Sequence, residues 1–311
     1  MISFPKLRLA LLTAVALLLL AVMFARNIFV NYVSWQMNVY SAKQLPPPAY
    51  LEQWLVRSLA MLPPHQQTNA YRHLGQMAVA RGDVQLAATY WQKGALPVQD
   101  AAVFGDKLFR QRNLPSALLW YELATLLEPD NAELWLDVGL VCQNGFWDIS
   151  ICQQFLEVNQ LNYLINADLL WGDLGWHTTY EEAAEHAVEP CPDAAEVCLK
   201  IAVVDELADG PSWAQCLHLP PQQTYQFSAW LLVDAEPDES WRPMYHQGRI
   251  AGEVKGSWPQ TMQGMSPWTL WEQEVSVGDF DDYRVCFHPI RLAGGGTAWI
   301  HSPQLVAMRD E

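Results

Sequence analysis

Basic residues are scarce in this chain: its 311 residues hold 18 Lys and Arg against 34 Asp and Glu, a formal net charge of -16. A nucleic-acid binder needs clustered Lys and Arg to neutralise phosphates, so that class is excluded. Disorder is excluded as well, because 51% of the residues are hydrophobic and only 17% are charged. Common enzyme signatures are missing. The eight histidines show no His-Glu-x-x-His and no close metal-ligand spacing, and no Gly-x-Ser-x-Gly occurs. Gly294-Gly295-Gly296 precedes a strand-like segment, whereas a phosphate loop opens a helix. The acidic runs at Asp234-Ala235-Glu236-Pro237-Asp238-Glu239 and at Asp279, Asp281 and Asp282 hold the paired carboxylates a glycosidase needs, but turn-rich, solvated loops account for them better. The expectation is a protein that is not an enzyme.

Charge is also uneven along the chain. Residues 1–45 carry Lys6, Arg8, Arg26 and Lys43 and no carboxylate. Residues 46–160 hold 7 basic and 11 acidic side chains, and 161–311 hold 7 and 23, so the three zones sum to +4, -4 and -16. The first zone contains Leu9 to Ala25 without a charge, with apolar character resuming at Ile28, Phe29 and Val30. About 20 apolar residues cross a bilayer as a helix. Lys6 and Arg8 before the run favour a cytoplasmic amino terminus, with everything after Arg26 outside. A cleaved signal fits less well, since Met23-Phe24-Ala25 is a poor cleavage site. Residues 1–30 are therefore expected to be a transmembrane anchor, and 31–48 a helical extension ending at Pro46-Pro47-Pro48.

From 49 to 159 the chain repeats itself. Tyr71, Leu74, Gly75, Ala78, Gly82, Ala87 and Trp91 are echoed by Ala101, Phe104, Gly105, Leu108, Ala117, Tyr121, Ala124 and Pro129. A third copy begins at Trp135, Val138, Gly139 and Cys142 and weakens after Gly145, with Ile151 where a small residue is expected. Tyr50, Trp54, Leu55 and Leu59 supply a leading helix. The pattern resembles the tetratricopeptide repeat, which implies an α-solenoid of stacked helical pairs. Small residues would let paired helices approach, and Trp91 and Tyr121 would fill the gap to the next pair. Such arrays bind a protein or peptide partner, or act as spacers.

After Asn159 the period changes. Val197 to Ile201, Tyr225 to Leu231, Tyr283 to Phe287 and Ala298 to Ile300 are short β-rich segments between Pro, Gly and Asp turns, an all-β pattern. Four stretches, Leu164 to Leu169 with Gly175-Trp176, Leu217 to Trp230, Trp268 to Trp271 and Gly296 to Leu305, resemble in that order the jelly-roll carbohydrate-binding modules of the xylan- and glucan-binding kind. The resemblance covers 160–309 and implies a C-terminal jelly-roll β-sandwich that binds glycan. Family members hold a structural calcium with a Glu and an Asp where this chain has Leu170 and His301. A leucine side chain offers no oxygen, so no metal is expected, with Asp168 and Asp173 as candidates for a weaker calcium site.

Sugar binding needs flat aromatic faces with polar groups beside them. The strand period of two puts Tyr225, Phe227, Ala229 and Leu231 on one face, which reads as core, and Gln226, Ser228 and Trp230 on the other. Trp230 with Gln226 is a candidate platform, joined by Trp271 and the loop aromatics Trp241, Tyr245 and Trp258. Trp176, Trp268 and Trp299 are expected in the core. For Trp241, Tyr245 and Trp258 structural and binding roles stay open.

Six cysteines allow fifteen pairings. Cys142 and Cys152 would staple the last repeat. Pairings among Cys191, Cys198, Cys216 and Cys286 stay open, with buried free thiols expected for at least one pair. The whole reads as a membrane-anchored cell-envelope protein that binds surface glycan, a protein partner or both. The alternative is an accessory subunit of a membrane or polysaccharide-export complex that binds no sugar.

Overall fold

The computed structural model describes residues 4–42, 48–192, 196–204, 210–221, 223–257 and 260–308. Among the described residues, eight α-helices precede eleven β-strands. The packing divides the chain into two compact units, Met1–Asn131 and Ala132–Glu311.

The first unit is helical: α1 (Phe4–Ala42), α2 (Ala49–Ser58), α3 (Pro64–Ala80), α4 (Val84–Lys93), α5 (Val98–Arg110) and α6 (Leu114–Leu127). Prolines set the helix starts, because a fixed φ suits the first turn and removes a donor that has no partner there. Pro48, Pro63 and Pro97 are extended N-cap residues, and Asp83 caps α4 by accepting the Leu86 amide at 3.1 Å. Along α1, Val15, Leu17, Leu18, Leu20, Val22, Met23 and Phe24 are all exposed. Among the described residues no helix is long and apolar enough to cross a membrane. The side chains of Leu9, Ala10, Leu11, Leu12 and Leu19, part of the run on which the anchor expectation rests, lie outside the described residues, as do Pro46 and Pro47. Further along, Phe29 of α1 packs on a cluster formed by Leu51, Leu55, Leu62, Leu74 and Met77.

The helical pairs α3/α4 and α5/α6 share one contact. A Cβ on Gly75 would lie 2.7 Å from the Trp91 ring, and one on Gly105 would lie 2.5 Å from Tyr121. Each aromatic therefore presses on the glycine of its own pair. Trp91 also meets Trp120 edge-on at 5.6 Å, so it touches the following pair as well.

The second unit opens with α7 (Ala132–Cys142) and α8 (Ser150–Val158), and these helices belong with the strands that follow. Gly139 meets Phe155 as Gly75 meets Trp91, at 2.7 Å, so the third copy keeps this contact despite Ile151. The Cys142–Cys152 disulfide ties the two helices, with Cα atoms 5.7 Å apart. The Trp147 indole donates to the His218 carbonyl, and its ring meets Tyr163, which in turn meets Tyr225. That aromatic chain is why the last helical pair packs with the β-domain.

The strands are β1 (His177–Thr179), β2 (Ala184–Pro190), β3 (Val197–Val203), β4 (Ser212–His218), β5 (Thr224–Asp234), β6 (Ser240–Ile250), β7 (Glu253–Ser257), β8 (Met262–Gln263), β9 (Ser266–Ser276), β10 (Arg284–Leu292) and β11 (Thr297–Ala307). They form two antiparallel sheets, β1-β4-β10-β6-β7 with β8 on β6, and β2-β3-β11-β5-β9. Tyr225, Phe227, Ala229, Leu231 and Val233 face inward and are fully buried, with Phe227 on Phe287 of β10 at 5.2 Å. Buried polar side chains pin the opening segment to both sheets. Gln215 of β4 bonds both the amide and the carbonyl of Ile165. Asn162 accepts the Leu164 and Leu305 amides and donates to the Pro303 carbonyl.

The remaining cysteines pair as Cys191–Cys198 and Cys216–Cys286, and no described cysteine is free. This overturns the expectation of buried free thiols. Cys216 and Cys286 sit directly opposite each other on β4 and β10, a juxtaposition set by strand register and invisible in the sequence.

Gly105→Ala tests the glycine contact. Overpacking costs about 1–3 kcal/mol, against roughly 1 kcal/mol gained from alanine's helix propensity. With the ring wedged against the helix the loss prevails, and thermal unfolding by circular dichroism should begin several degrees lower. Gly278→Ala, with open space around it, should leave the melt unchanged.

Candidate functional site

On the outer face of the five-stranded sheet, residues directly opposite one another project together. Trp230 of β5 faces His301 of β11 and Leu270 of β9, and Trp299 of β11 faces Leu232 and Lys200. Trp230 is 38% exposed. Its ring lies parallel to His301, 3° between planes and 6.1 Å between centroids, and Trp268 meets His301 edge-on at 4.8 Å. The Trp268 indole donates to the Pro192 carbonyl, and that of Trp299 donates to Glu189, itself beside Lys200. These bonds fix the Trp268 and Trp299 rings.

Gln226 lies on the same face as Trp230, four residues earlier and half-buried. Glu272 and Glu274 stand opposite Ser228 and Gln226 on β9 and are exposed. The face thus offers an aromatic strip bordered by acceptors and an amide. Burial lowers the pKa of the His301 imidazole, so its ring is neutral at pH 7 and stacks without a charge.

The other sequence candidates fall elsewhere. Trp241 is 1% exposed and inside the core, donating to the Gly264 carbonyl and meeting Trp271 edge-on at 5.7 Å. Trp271 also points inward, since it stands opposite buried Ala229. Neither belongs to a platform, because the pleat turns both toward the opposite sheet. Trp258 lies outside the described residues. Trp268 and Trp299, expected in the core, lie on the outer face instead, because Ala298 and Ile300 take the inward positions of β11. His301, singled out in the sequence only as standing where the resembled family has a calcium-binding Asp, was missed as part of this face. Its place opposite Trp230 depends on pairing between strands far apart in sequence.

Tyr245 belongs to the outer face of the other sheet and is 3% exposed. It reaches that face through Met244, whose φ of 53° interrupts the alternation of β6. His246 then faces inward on Phe287, while Tyr245 lies against His288 at 5.0 Å and beneath Arg291 at 5.3 Å.

Asp168 uses its carboxylate to accept the Leu170 amide. Among the described residues no group of three or more His, Cys, Asp or Glu side chains converges to hold a metal.

No protein-family model and no curated protein matches the chain. Among solved structures, the C-terminal half is similar to the CBM22-1 xylan-binding domain from Paenibacillus barcinonensis Xyn10C, with a TM-score of 0.37 and 10% identity over 44% of this chain and 88% of that one. It is also similar to TmCBM61 in complex with β-1,4-galactotriose, with a TM-score of 0.34 and 14% identity over 47% of this chain and 99% of that one. A family 4 carbohydrate-binding module gives 0.36 and 13% over 47% and 99%.

His288 carries a pH consequence. Burial, and then the charges of Arg291, His177 and His246, lower its pKa to about 3. Unfolding returns it to about 6.5, so between these values the unfolded chain binds more protons and stability falls as pH falls. The urea midpoint should drop between pH 7 and pH 5. His288→Gln should flatten that drop by one proton's worth, at most about 1.4 kcal/mol per pH unit. Coincident profiles for the two proteins would contradict this assignment.

Proposed function

We propose that the chain is a non-enzymatic, membrane-anchored envelope protein whose β-sandwich holds neutral polysaccharide on the Trp230, His301, Trp268 and Trp299 strip. The observation that carries this reading is the half-exposed Trp230 ring lying parallel to His301 on an outer sheet face. Sugar rings present a C–H face that packs on such aromatic planes, and adjacent polar groups orient their hydroxyls. Gln226, Glu272 and Glu274 are placed for that role. An exposed tryptophan on the outside of a sheet costs solubility, which favours a binding role for Trp230.

The anchor is the apolar run Leu9 to Ala25 of α1. Its exposed Val15, Leu17, Leu18, Leu20, Val22, Met23 and Phe24 suit lipid on all sides. Tyr32 and Trp35, exposed just past Arg26, suit the membrane–water interface, where amphipathic rings concentrate. The lysine and arginine before the run put the amino terminus in the cytoplasm and the sandwich outside. The helical pairs between them follow a tetratricopeptide-like plan and serve as a spacer or as a surface for a protein partner.

Affinity electrophoresis of the full chain in xylan, β-1,4-galactan and mixed-linkage glucan tests the sugar reading. At least one neutral polymer should retard it, and Trp230→Ala should weaken retardation about tenfold, while Trp171→Ala, at an exposed tryptophan outside the strip, should not. If no neutral polymer retards the protein the reading fails, and the accessory-subunit alternative gains. The anchor is tested separately: the chain should resist alkaline extraction from membranes, and external protease should reach residues 160–311 on intact cells.

A further inference from the structure

Helix α2 carries an aromatic stripe that its own packing leaves outside. Leu51 and Leu55 bury one side of the helix in the cluster with Leu62, Leu74 and Met77. Tyr50, Trp54 and Arg57, at i, i+4 and i+7, share the neighbouring stripe and are exposed. A surface helix ordinarily presents charged or polar side chains there, so two half-exposed aromatic rings on a helix of 10 residues are a surplus of apolar surface. The one carboxylate of α2 is Glu52, two positions from each ring and so on the far side of the helix. Both its oxygens accept from the guanidinium of Arg81, the residue that ends α3. The stripe is aromatic and basic, with no acid in it.

Its position along α1 is fixed by two contacts. The Trp54 ring lies against Phe29 with 5.5 Å between centroids, and Gln66 in the first turn of α3 donates to Asn27 at 3.3 Å. Phe29 also packs on the buried cluster, so the level at which α2 and α3 meet α1 is a property of the fold and not of one side chain. A bilayer core of about 30 Å takes about 20 helical residues at 1.5 Å each. Counted from Leu9, where the uncharged run begins, that core ends at Ile28. Asn27 and Phe29 flank this boundary, which puts Trp54 and the corner between α2 and α3 at the same depth. The headgroup layer beyond it is about 5–7 Å thick, roughly one turn of helix.

We propose that α2 lies on the bilayer, with Tyr50 and Trp54 in the headgroup layer of a phospholipid membrane and the Arg57 guanidinium among its phosphates. The proposal rests on the anchor reading above and goes beyond it, because it seats the helical unit on the surface instead of holding it away as a spacer. Continuity with α1 selects lipid as the occupant over a protein: the stripe lies where the anchor leaves the hydrocarbon. Tryptophan and tyrosine concentrate in this layer because their rings are apolar with one polar edge. Arginine suits it too, since its long stem lies along apolar surface while the charge reaches outward to the phosphates.

The test uses the full chain in phosphatidylcholine vesicles. No described cysteine is free, so a single introduced cysteine is the one that takes a thiol-reactive fluorophore. Labels at Arg57→Cys and at Tyr50→Cys, both at exposed positions, should lose fluorescence to lipids that carry a nitroxide near the headgroup, and lose less to lipids that carry it at the chain end. A label at Leu18→Cys, in the middle of the apolar run, should show the opposite order. A label at Gln85→Cys, exposed on α4 beyond the far end of α3, should be quenched by neither lipid. Absence of quenching at both α2 positions overturns the proposal, and so does equal quenching at Gln85, since a general association with lipid would then explain the signal. Leu18 separates the two readings. Quenching there with none on α2 leaves the anchor standing and removes the seated helix, whereas quenching on α2 with none at Leu18 supports the surface contact and removes the span.

Discussion

Phe227 and Phe287 meet at 5.2 Å between the two sheets, and the outward faces of the domain follow from that contact. A pleated strand sends alternate side chains to opposite sides, so once the inward row is buried the outward row has no freedom. On β5 the inward row is Tyr225, Phe227, Ala229, Leu231 and Val233, which leaves Trp230 outside. On β11 Ala298 and Ile300 are inside, which leaves Trp299 and His301 outside beside it. An aromatic strip arises because the core strands need their small and aliphatic residues elsewhere.

The same rule works on the other sheet until β6 breaks it. Trp241 and Pro243 face in, but Met244 adopts a positive φ, and Tyr245 then faces out while His246 faces in. That one residue moves a tyrosine to the face where Arg291, Tyr180 and His288 gather. The two outer faces consequently differ in chemistry. One presents tryptophan beside carboxylates, the other arginine over tyrosine.

Much of the architecture was legible in the chain. The change from helical to alternating pattern after Asn159, the repeated Gly75 and Gly105, and the inward row of β5 all come from local periodicity, which sequence carries directly. The Cys142–Cys152 bond was legible too, because ten residues separate two cysteines on adjoining helices. The site was less so. Of the six sugar-binding candidates, Trp230 and Gln226 share a face, Trp241 is in the core, Trp271 points inward and is half-buried, Tyr245 is on the opposite sheet, and Trp258 lies outside the described residues. Loop-like composition around Trp241 and Tyr245 suggested exposure, yet both lie on β6, whose partner β10 is some forty residues away.

By itself the sequence determined the order of helical and β parts, the acidic charge of the second, and which side of β5 is apolar, since each depends on neighbours within a few residues. Only the tertiary structure decided that the last helical pair joins the sandwich through Trp147 and Tyr163, that Cys216 pairs with Cys286, and that Trp268, His301 and Trp230 meet. The last two rest on register between strands about 70 residues apart in the chain. Register is set by how two buried surfaces fit together, a property of the pair that neither segment carries alone.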